Sequence, residues 1–238
     1  MKERWDERAT LDAFHYVETE HWRGDVETFF AIGEQRAQAL IDPVLAAHVR
    51  SDRRACAVEL GCGVGRFSRA LSRRFDEVVG VDVSEEMVRH ARELHPADSY
   101  PRLRFVANDG MSLPVEDASA DFVFSYEVFQ HMPSREVIAA NLRDVARALR
   151  PDGVALIHVR TARSALRRRA PRIVRVVKAR LAGVEPLKRD ATFLGTALGR
   201  DELAVLFVSA GLLVDDVVDD PTHDPGERAL VVARRAGL

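Results

Sequence analysis

The chain reads Val58-Glu-Leu-Gly-Cys-Gly-Val-Gly-Arg66 at the end of its first strongly apolar run. Glycine stands at three alternate positions of this stretch, Gly61, Gly63 and Gly65. Glycine adopts positive φ without strain and, because it has no Cβ, lets a ligand approach the main chain. The apolar spacing over residues 67–71 suits a helix with one buried stripe. We therefore predict a strand, a tight ligand-binding loop and a helix in direct succession.

A second apolar run, Glu77-Val-Val-Gly-Val-Asp82, follows the predicted helix and also ends in an acid. A carboxylate at this point can accept hydrogen bonds from both hydroxyls of a bound ribose. Dinucleotide-binding loops have the pattern G-x-G-x-x-G and place a pyrophosphate against the helix N-terminus. Here the sixth position is Arg66, and the pattern is G-x-G-x-G. S-adenosylmethionine carries no phosphate and does not need that close approach, so the spacing favours it over a dinucleotide.

Five segments in order resemble those of the class I S-adenosylmethionine-dependent methyltransferase superfamily, over roughly residues 50–160. They are residues 59–65, 79–87, 108–114, 121–127 and 149–154. A generic α/β turn would account for Gly61 and Gly63, but not for the ordered set. The resemblance implies S-adenosylmethionine as cofactor, S-adenosylhomocysteine as product and an acceptor of the small-molecule type.

The fold expected from the whole chain is of the α/β class, because strand and helix patterns alternate along it. Strands are expected near residues 55–60, 77–82, 103–108, 120–126, 153–159, 212–218 and 228–235, and helices near 65–74, 84–94, 134–149 and 200–210. The resemblance implies a Rossmann-like, doubly wound, seven-stranded and mainly parallel sheet. It also implies the strand order 3-2-1-4-5-7-6 and an antiparallel seventh strand.

The regions outside the five segments predict the domain organisation. Residues 1–50 are expected to form an N-terminal helical cap, and residues 51–238 the S-adenosylmethionine-binding methyltransferase domain, with 160–195 as a cap insertion after the fifth strand. Both tryptophans, Trp5 and Trp22, lie within the first 30 residues, together with four other aromatic residues. This aromatic stretch either docks the N-terminal helices or forms a lid over the acceptor and the methionine end of the cofactor.

The segment 160–189 is strongly basic, with eleven Arg or Lys and one acid, so its charge of +10 leaves −12 on the rest of the chain. Apolar residues recur at helical spacing after Pro171, which suits a first helical turn. We predict a basic amphipathic helix here. Its basic face either is solvated and pairs with acidic surface or another subunit, or binds an anionic acceptor, a membrane surface or a nucleic acid.

Composition narrows the class of protein. A chain of 238 residues with 47% hydrophobic residues allows one α/β domain with an appendage. The net charge of −2 gives no reason to expect a nucleic-acid partner. The sequence has neither an apolar run long enough to span a membrane nor a signal-peptide pattern, so a cytoplasmic monomer or homodimer is expected. Two cysteines, Cys56 and Cys62, are too few for a disulfide framework and are expected to be packing residues.

The resemblance also implies a cofactor site. Glu59 would brace the glycine loop and favour the ammonium group of the ligand, and Asp82 would bind the ribose hydroxyls. The full expected set is Glu59, Gly61, Cys62, Gly63, Gly65, Arg66, Asp82, Val83, Met87, Asp109, Gly110, Met111, Ser125 and Tyr126. Alternatives exist for three members: Asp82 as an acid at a helix N-terminus, Asp109 as a plain turn residue and Arg66 as an exposed arginine of the first helical turn.

The expected reaction is an in-line displacement at a sulfonium, in which orientation and desolvation supply much of the catalysis. A base is needed only when the nucleophile is a hydroxyl or a carbon acid. His131 follows the fourth strand at the sheet edge where α/β proteins bind ligands, and it is the candidate base, with Glu127 second and Tyr16 from the cap third. A loop-stabilising role is the alternative for His131. No metal is expected, although Asp109, Glu127 and His131 could hold a divalent ion.

These patterns predict a methyltransferase acting on an O-, C- or N-nucleophile of a small molecule. The fourth strand is followed by Ser125-Tyr-Glu-Val128 and not by the Asn/Asp-Pro-Pro-aromatic motif of enzymes that methylate nucleic-acid amino groups. The alternative is an S-adenosylmethionine-binding regulator or subunit without transferase activity. A nicotinamide-dependent dehydrogenase is disfavoured by Arg66 and by the lack of an evident catalytic Tyr-x-x-x-Lys.

Overall fold

A computed structural model describes residues 1–17, 22–52, 54–161, 196, 198–223 and 226–237. The described helices are α1 (Lys2–Val17), α2 (Val26–Leu40), α3 (Asp42–His48), α4 (Arg66–Leu71), α5 (Glu85–Leu94), α6 (Arg135–Ala148) and α7 (Arg200–Ser209). The strands are β1 (Cys56–Leu60), β2 (Glu77–Asp82), β3 (Leu103–Ala107), β4 (Ala120–Ser125), β5 (Leu149–Arg160), β6 (Leu212–Asp219) and β7 (Arg228–Arg235). Residues 162–195, which include nearly all of the predicted basic helix and cap insertion, lie outside the description.

The described strands form one seven-stranded sheet with the order β3-β2-β1-β4-β5-β7-β6. β1 to β5 pair in parallel, and β7 runs antiparallel between β5 and β6. The order and the antiparallel seventh strand confirm the Rossmann-like α/β class. Because the carboxyl ends of β1, β2, β4 and β5 share one edge, the segments that follow these strands lie close together.

Both faces of β1, β2, β4 and β5 are buried over most of their length, which explains why these strands read as nearly continuous apolar runs. Alternate residues of a strand point to opposite faces. Val123 packs into a core that also holds residues of α6 and α7, whereas its neighbours Phe122 and Phe124 pack into a second core with residues of α2, α3 and α4. The central strands are thus packed against helices on both faces.

None of the described helices is long and apolar enough to cross a membrane.

The N-terminal region is helical, as expected, and its second and third helices are separated by a single residue. α2 ends at Leu40, and α3 begins at Asp42 with the proline in its first turn, where a missing N–H costs nothing. Asp25 caps α2 by accepting a hydrogen bond from the Glu27 N–H at 3.1 Å.

A buried carboxylate ties the first strand to the fourth. Asp121 Oδ2 accepts hydrogen bonds from the N–H groups of Ala55 and Cys56, each at 3.0 Å. Arg150, which follows α6, donates to both oxygens of the same carboxylate at 2.7 Å. The side chain of Asp121 is 4% exposed, so these partners replace the water that its charge has lost. The contact fixes where β1 starts beside β4.

Replacing Asp121 with alanine should lower the free energy of unfolding by about 2–4 kcal/mol, because two backbone N–H groups and Arg150 lose the acceptor that this buried carboxylate provides. Urea denaturation of wild type and variant measures this difference. Asp52→Ala is the matched control, since Asp52 pairs with Arg50 at the surface and should contribute no more than about 1 kcal/mol. Equal effects of the two substitutions would contradict the assignment.

Candidate functional site

The glycine loop between β1 and α4 has the backbone that its sequence predicts. Gly61, Gly63 and Gly65 have φ values of 78°, 52° and 86°. A Cβ on Gly61 would lie 2.1 Å from Cγ2 of Val128, so glycine is required there for space as well as for conformation. The N–H of Gly61 donates to the carbonyl of Val81 at 2.7 Å, which attaches the loop to the end of β2.

Glu59 lies beneath the loop with 3% exposure and accepts a hydrogen bond from the hydroxyl of Ser68. Burial raises the pKa of Glu59 to about 8, even though Ser68 and the nearby charge of Arg66 lower it. With a pKa of about 8, the carboxyl of Glu59 is mostly protonated at neutral pH unless a positive charge binds nearby. A cation bound at the loop would favour the carboxylate.

Asp82 connects the loop to the next helix. Its Oδ2 accepts from the N–H of Gly63 at 2.8 Å, and its Oδ1 accepts from the N–H of Ser84, the N-cap of α5, at 2.9 Å. Burial raises the pKa of Asp82, against the hydrogen bonds from Ser84 and Gly63. A carboxylate oxygen can accept two hydrogen bonds, so each oxygen can take a further donor such as a ligand hydroxyl.

The third predicted segment forms a tight turn after β3. Asp109 is exposed, and its Oδ1 accepts from the N–H groups of Met111 and Ser112 at 2.9 and 2.8 Å and from the Ser112 hydroxyl at 2.9 Å. The bond from Met111 is the main reason that the pKa of Asp109 is lowered. The carboxylate therefore has the turn-building role given above as its alternative. Gly110 has a φ of 81°, and a Cβ there would lie 3.2 Å from Cγ2 of Val83.

Two other predicted cofactor residues are core residues in this structure. Met87 is 1% exposed and packs with Val64, Phe29 and residues of α1. Cys62 is 2% exposed, and burial raises the pKa of its thiol well above the ordinary value. A thiol that stays protonated is a packing group, as expected, and a poor nucleophile. Met111, by contrast, is 48% exposed.

Arg66 is covered, so the alternative of an exposed first-turn arginine is wrong. Its side chain is 3% exposed and lies against Gly33 of α2, where an added Cβ would be 2.5 Å from Arg66 Cγ. The guanidinium lies 5.5 Å from the ring centroid of Phe29 and 4.9 Å from that of Phe67. The absence of a side chain on Gly33 is the physical reason that α2 can close over the arginine.

Helix α1 lies along the same strip of the molecule. Met1, which precedes the helix, places Cε 2.9 Å from where a Cβ on Gly110 would be. Val17, at the end of the helix, places Cγ2 2.7 Å from the equivalent point on Gly63. Between these ends, Asp6 Oδ1 accepts from the hydroxyl of Ser84 at 2.6 Å. The helix thus reaches from the third segment to the glycine loop and is bonded to the start of α5.

The aromatic residues of α1 contact the segment after β4. The ring of Trp5 packs edge-on against that of His131, with centroids 5.3 Å apart. The Arg8 side chain is 7% exposed, and its guanidinium lies 4.7 Å from the Trp5 ring and 5.7 Å from the Tyr16 ring. Two of the three candidate catalytic residues therefore lie at this helix. Tyr16 belongs to α1 and contacts Arg8, and His131 contacts α1 through Trp5.

Glu127, the third candidate, occupies a strained turn after β4. Its φ is 61°, which is uncommon for a residue other than glycine. Burial would raise the pKa of its carboxyl, but the nearby charge of Arg228 outweighs burial and holds it below the ordinary value. The carboxylate forms a close ion pair with Arg228 at the start of β7. It is thus a charged structural partner more than a proton acceptor.

The predicted residues at the end of β4 are both fully engaged. Ser125 donates its hydroxyl to the Leu60 carbonyl at 2.9 Å, which links β4 to the start of the glycine loop. The hydroxyl of Tyr126 donates to Asp220 at 2.8 Å, and its ring lies 4.5 Å from that of His158. Burial raises the pKa of Tyr126, so its hydroxyl remains a donor.

The sequence reasoning missed Asp220 and His223, which lie in the turn between β6 and β7. Antiparallel pairing aligns Arg228 with Arg160 at the end of β5, so this turn meets the carboxyl ends of β4 and β5. Its composition, Asp-Pro-Thr-His-Asp-Pro-Gly, is that of an ordinary turn. Only the strand order could have pointed to it.

The comparisons with known proteins agree with this geometry. A methyltransferase-domain family matches residues 58–157. The 2-methyl-6-phytyl-1,4-hydroquinone methyltransferase of Synechocystis is 34% identical over 101 residues, 42% of this chain and 30% of the relative. The trans-aconitate 2-methyltransferase of Azoarcus is 32% identical over 137 residues, 57% of this chain and 50% of the relative. The chain therefore spans half or less of the length of these curated relatives.

Similarity to solved structures extends over the whole fold. The magnesium protoporphyrin IX methyltransferase of Synechocystis, crystallised with bound S-adenosylhomocysteine, superposes with a TM-score of 0.65 at 16% identity, covering 99% of this chain and 97% of the other. At that identity the likeness concerns the fold. Residues 58–157 therefore match a methyltransferase domain in sequence, and the chain has the fold of a methyltransferase crystallised with S-adenosylhomocysteine.

Proposed function

We propose that the protein transfers a methyl group from S-adenosylmethionine to a small-molecule acceptor by in-line displacement. The observation that carries this proposal is the carboxylate of Asp82, held between the N–H groups of Gly63 and Ser84 beside a loop of positive-φ glycines. Such an arrangement offers acceptors to ribose hydroxyls without providing the close helix approach that a pyrophosphate needs.

In the proposed complex the adenosine lies along the ends of β2 and β3. The ribose hydroxyls donate to Asp82, and the adenine lies between Val83 and the turn at Gly110. The methionine part follows the glycine loop, and its ammonium group meets the carboxylate of Glu59. The other residues expected from the family act through packing: Met87, Cys62 and Arg66 hold the loop and α2 in place.

We propose that residues 1–50 act as the cap of the domain formed by residues 51–238, with the 160–195 insertion completing the cover. Helix α1 supports this role because it contacts the site at both ends, through Met1 and Val17. A cover that removes water and fixes the acceptor is what methyl transfer needs, since the sulfonium already carries a good leaving group.

The acceptor is proposed to be a small metabolite, because the relatives named above act on a hydroquinone and on a carboxylic acid. For an acceptor that must lose a proton, His131 is the candidate base that the sequence supplies. Glu127 is disfavoured by its ion pair with Arg228 and its lowered pKa. A regulatory protein that binds the cofactor without turning it over is the alternative.

Two measurements test the proposal. Titration calorimetry should show binding of S-adenosylhomocysteine and no comparable binding of NAD. S-adenosylmethionine labelled in its methyl group should then transfer label to a compound in a small-molecule extract of the cells that make the protein. Binding without transfer would favour the regulatory alternative, and binding of NAD alone would overturn both.

Asp82→Ala should weaken the binding of S-adenosylhomocysteine by about 1–3 kcal/mol, because the ribose hydroxyls lose a charged acceptor. Calorimetry with the 2′,3′-dideoxy analogue separates this effect from general damage to the loop. The wild type should prefer the hydroxylated ligand, and the variant should bind both ligands nearly alike. A variant that keeps the full preference would refute the assignment.

Glu59→Gln should change the pH dependence of stability in the cofactor-free protein. The pKa of Glu59 is about 8 in the folded state and about 4.3 in an unfolded chain, so between these values folding must hold a proton that the unfolded chain releases. Stability from this group is therefore lost as pH rises from about 4.3 to about 8. Relative to wild type, the variant should gain more than about 1.4 kcal/mol between pH 5.5 and pH 8, as measured by urea denaturation. A difference that does not vary with pH would contradict the raised pKa.

A further inference from the structure

A second group of polar side chains lies beside the proposed cofactor site. It is formed by residues that follow β4, end β5 and make the turn between β6 and β7. Its members are Tyr126, Glu127, His158, Asp220, Thr222 and His223. The side chains of Asp220 and His158 are fully buried, with 0% exposure. A buried carboxylate surrounded by two histidines is costly to build unless its charge is used.

Asp220 is the centre of this group. Its Oδ2 accepts hydrogen bonds from the Tyr126 hydroxyl at 2.8 Å and from Nδ1 of His223 at 2.9 Å, with Nε2 of His158 at 3.2 Å. Its Oδ1 accepts from the N–H and hydroxyl of Thr222 at 2.8 and 2.7 Å. Burial would raise the pKa of Asp220, but the bonds from His158 and His223 outweigh burial and hold it far below its ordinary value. The group is therefore an ionised and rigidly held carboxylate.

The spacing of His158, Asp220 and His223 would also suit a metal ion, since their ligand atoms lie within 4.8 Å of one another. Hydrogen bonding decides against this use. The N–H of Glu127 donates to His158 Nδ1 at 3.2 Å, so the lone pair of Nδ1 is occupied. A neutral imidazole then carries its proton on Nε2, the atom that faces Asp220, and this proton leaves no lone pair for a metal. Burial lowers the pKa of His158, which keeps the ring neutral.

His223 differs from the other two members of the cluster because its side chain is 24% exposed. With Nδ1 donating to Asp220, its Nε2 is the nitrogen that can accept a proton. Nε2 lies 3.7 Å from Oε1 of Glu127, whose charge is balanced by Arg228 of β7. The neutral ring of His158 lies 5.9 Å away on the β5 side. These are the charged and titratable groups that face His223 among the described residues.

The strained turn at Glu127 brings His223 close to the glycine loop. Val128, the next residue, fills the space beneath Gly61, while the carboxylate of Glu127 meets His223. One turn therefore contacts both the proposed methionine site and the histidine. Strain of this kind persists where the surrounding structure enforces it, and here the hydrogen bond from Glu127 N–H to His158 does so.

We propose that His223 Nε2, oriented by Asp220, accepts the proton of a hydroxyl-bearing acceptor during methyl transfer, an inference that rests on the proposed function. The acceptor oxygen forms a bond to the methyl carbon, and the carbon–sulfur bond breaks with its electron pair going to sulfur. The hydroxyl proton passes to Nε2, and the imidazolium is stabilised by Asp220 until it returns the proton to water. A carboxylate acceptor arrives without a proton and needs no such pair, so the acceptor is a phenol or an alcohol.

The test begins with labelled S-adenosylmethionine and the small-molecule extract described above, from which the methylated product and then its parent are purified. The product should be a methyl ether. His223→Gln should lower kcat at pH 7 by at least about 100-fold, the usual contribution of a positioned base. Its binding of S-adenosylhomocysteine, measured by calorimetry, should stay within about twofold, because a base acts on the rate of transfer and not on cofactor affinity.

The pH profile separates a proton acceptor from a structural residue. In His223→Gln the wild-type acidic limb, which ends in a plateau near neutral pH, should be lost, and the residual kcat should instead rise without a plateau up to the pH at which the free acceptor ionises. Asp220→Asn should shift the acidic limb, since Asp220 is a positioning residue. His131→Gln should retain the limb, whatever it does to kcat, because in this proposal His131 only borders the acceptor with Trp5.

The possible failures are distinguishable. A wild-type protein that binds S-adenosylhomocysteine but transfers no label overturns the proposed function and this inference with it. Transfer that survives His223→Gln with its acidic limb intact, or a product that is an ester or an amine, overturns this inference alone. Loss of the acidic limb in His131→Gln instead would assign the proton to His131. Far-ultraviolet circular dichroism and a thermal melt verify that each variant is folded.

Discussion

The carboxylate of Asp82 is the contact on which the arrangement of the site depends. It holds the N–H of Gly63 on one side and the N–H of Ser84 on the other, so the glycine loop and helix α5 share one acceptor. Ser84 in turn donates its hydroxyl to Asp6 of α1. Asp82 thus connects the loop with the helix that follows β2 and, through Ser84, with α1. A shift of any one of these elements would move the carboxylate oxygens that are proposed to bind the ribose.

Three buried carboxyl groups near this edge show how partners determine charge. Glu59 has one hydroxyl donor, and its pKa rises to about 8. Asp82 has two backbone donors, and its pKa is raised. Asp220 accepts from two histidines, a tyrosine and a threonine, and its pKa is lowered. Burial acts the same way on all three, so the number of donors decides which group is ionised.

Much of the fold could be predicted from the sequence, because strands buried on both faces leave long apolar runs and glycine loops leave spaced glycines. Side-chain partners that are far apart in the chain could not. Tyr126 and Asp220 meet only because β7 turns back beside β5, and no local pattern encodes that meeting. The burial of Arg66 could not be read from its own helix either, because α2 covers it and Gly33 of α2 leaves the space for its side chain.

The position of α1 has a consequence for ligand binding. Met1, which precedes the helix, and Val17, at its end, lie against Gly110 and Gly63, glycines that leave room beside the main chain. A group bound at those points would have to displace these two side chains. Because Trp5 lies on the same helix and packs on His131, its fluorescence would report such a displacement.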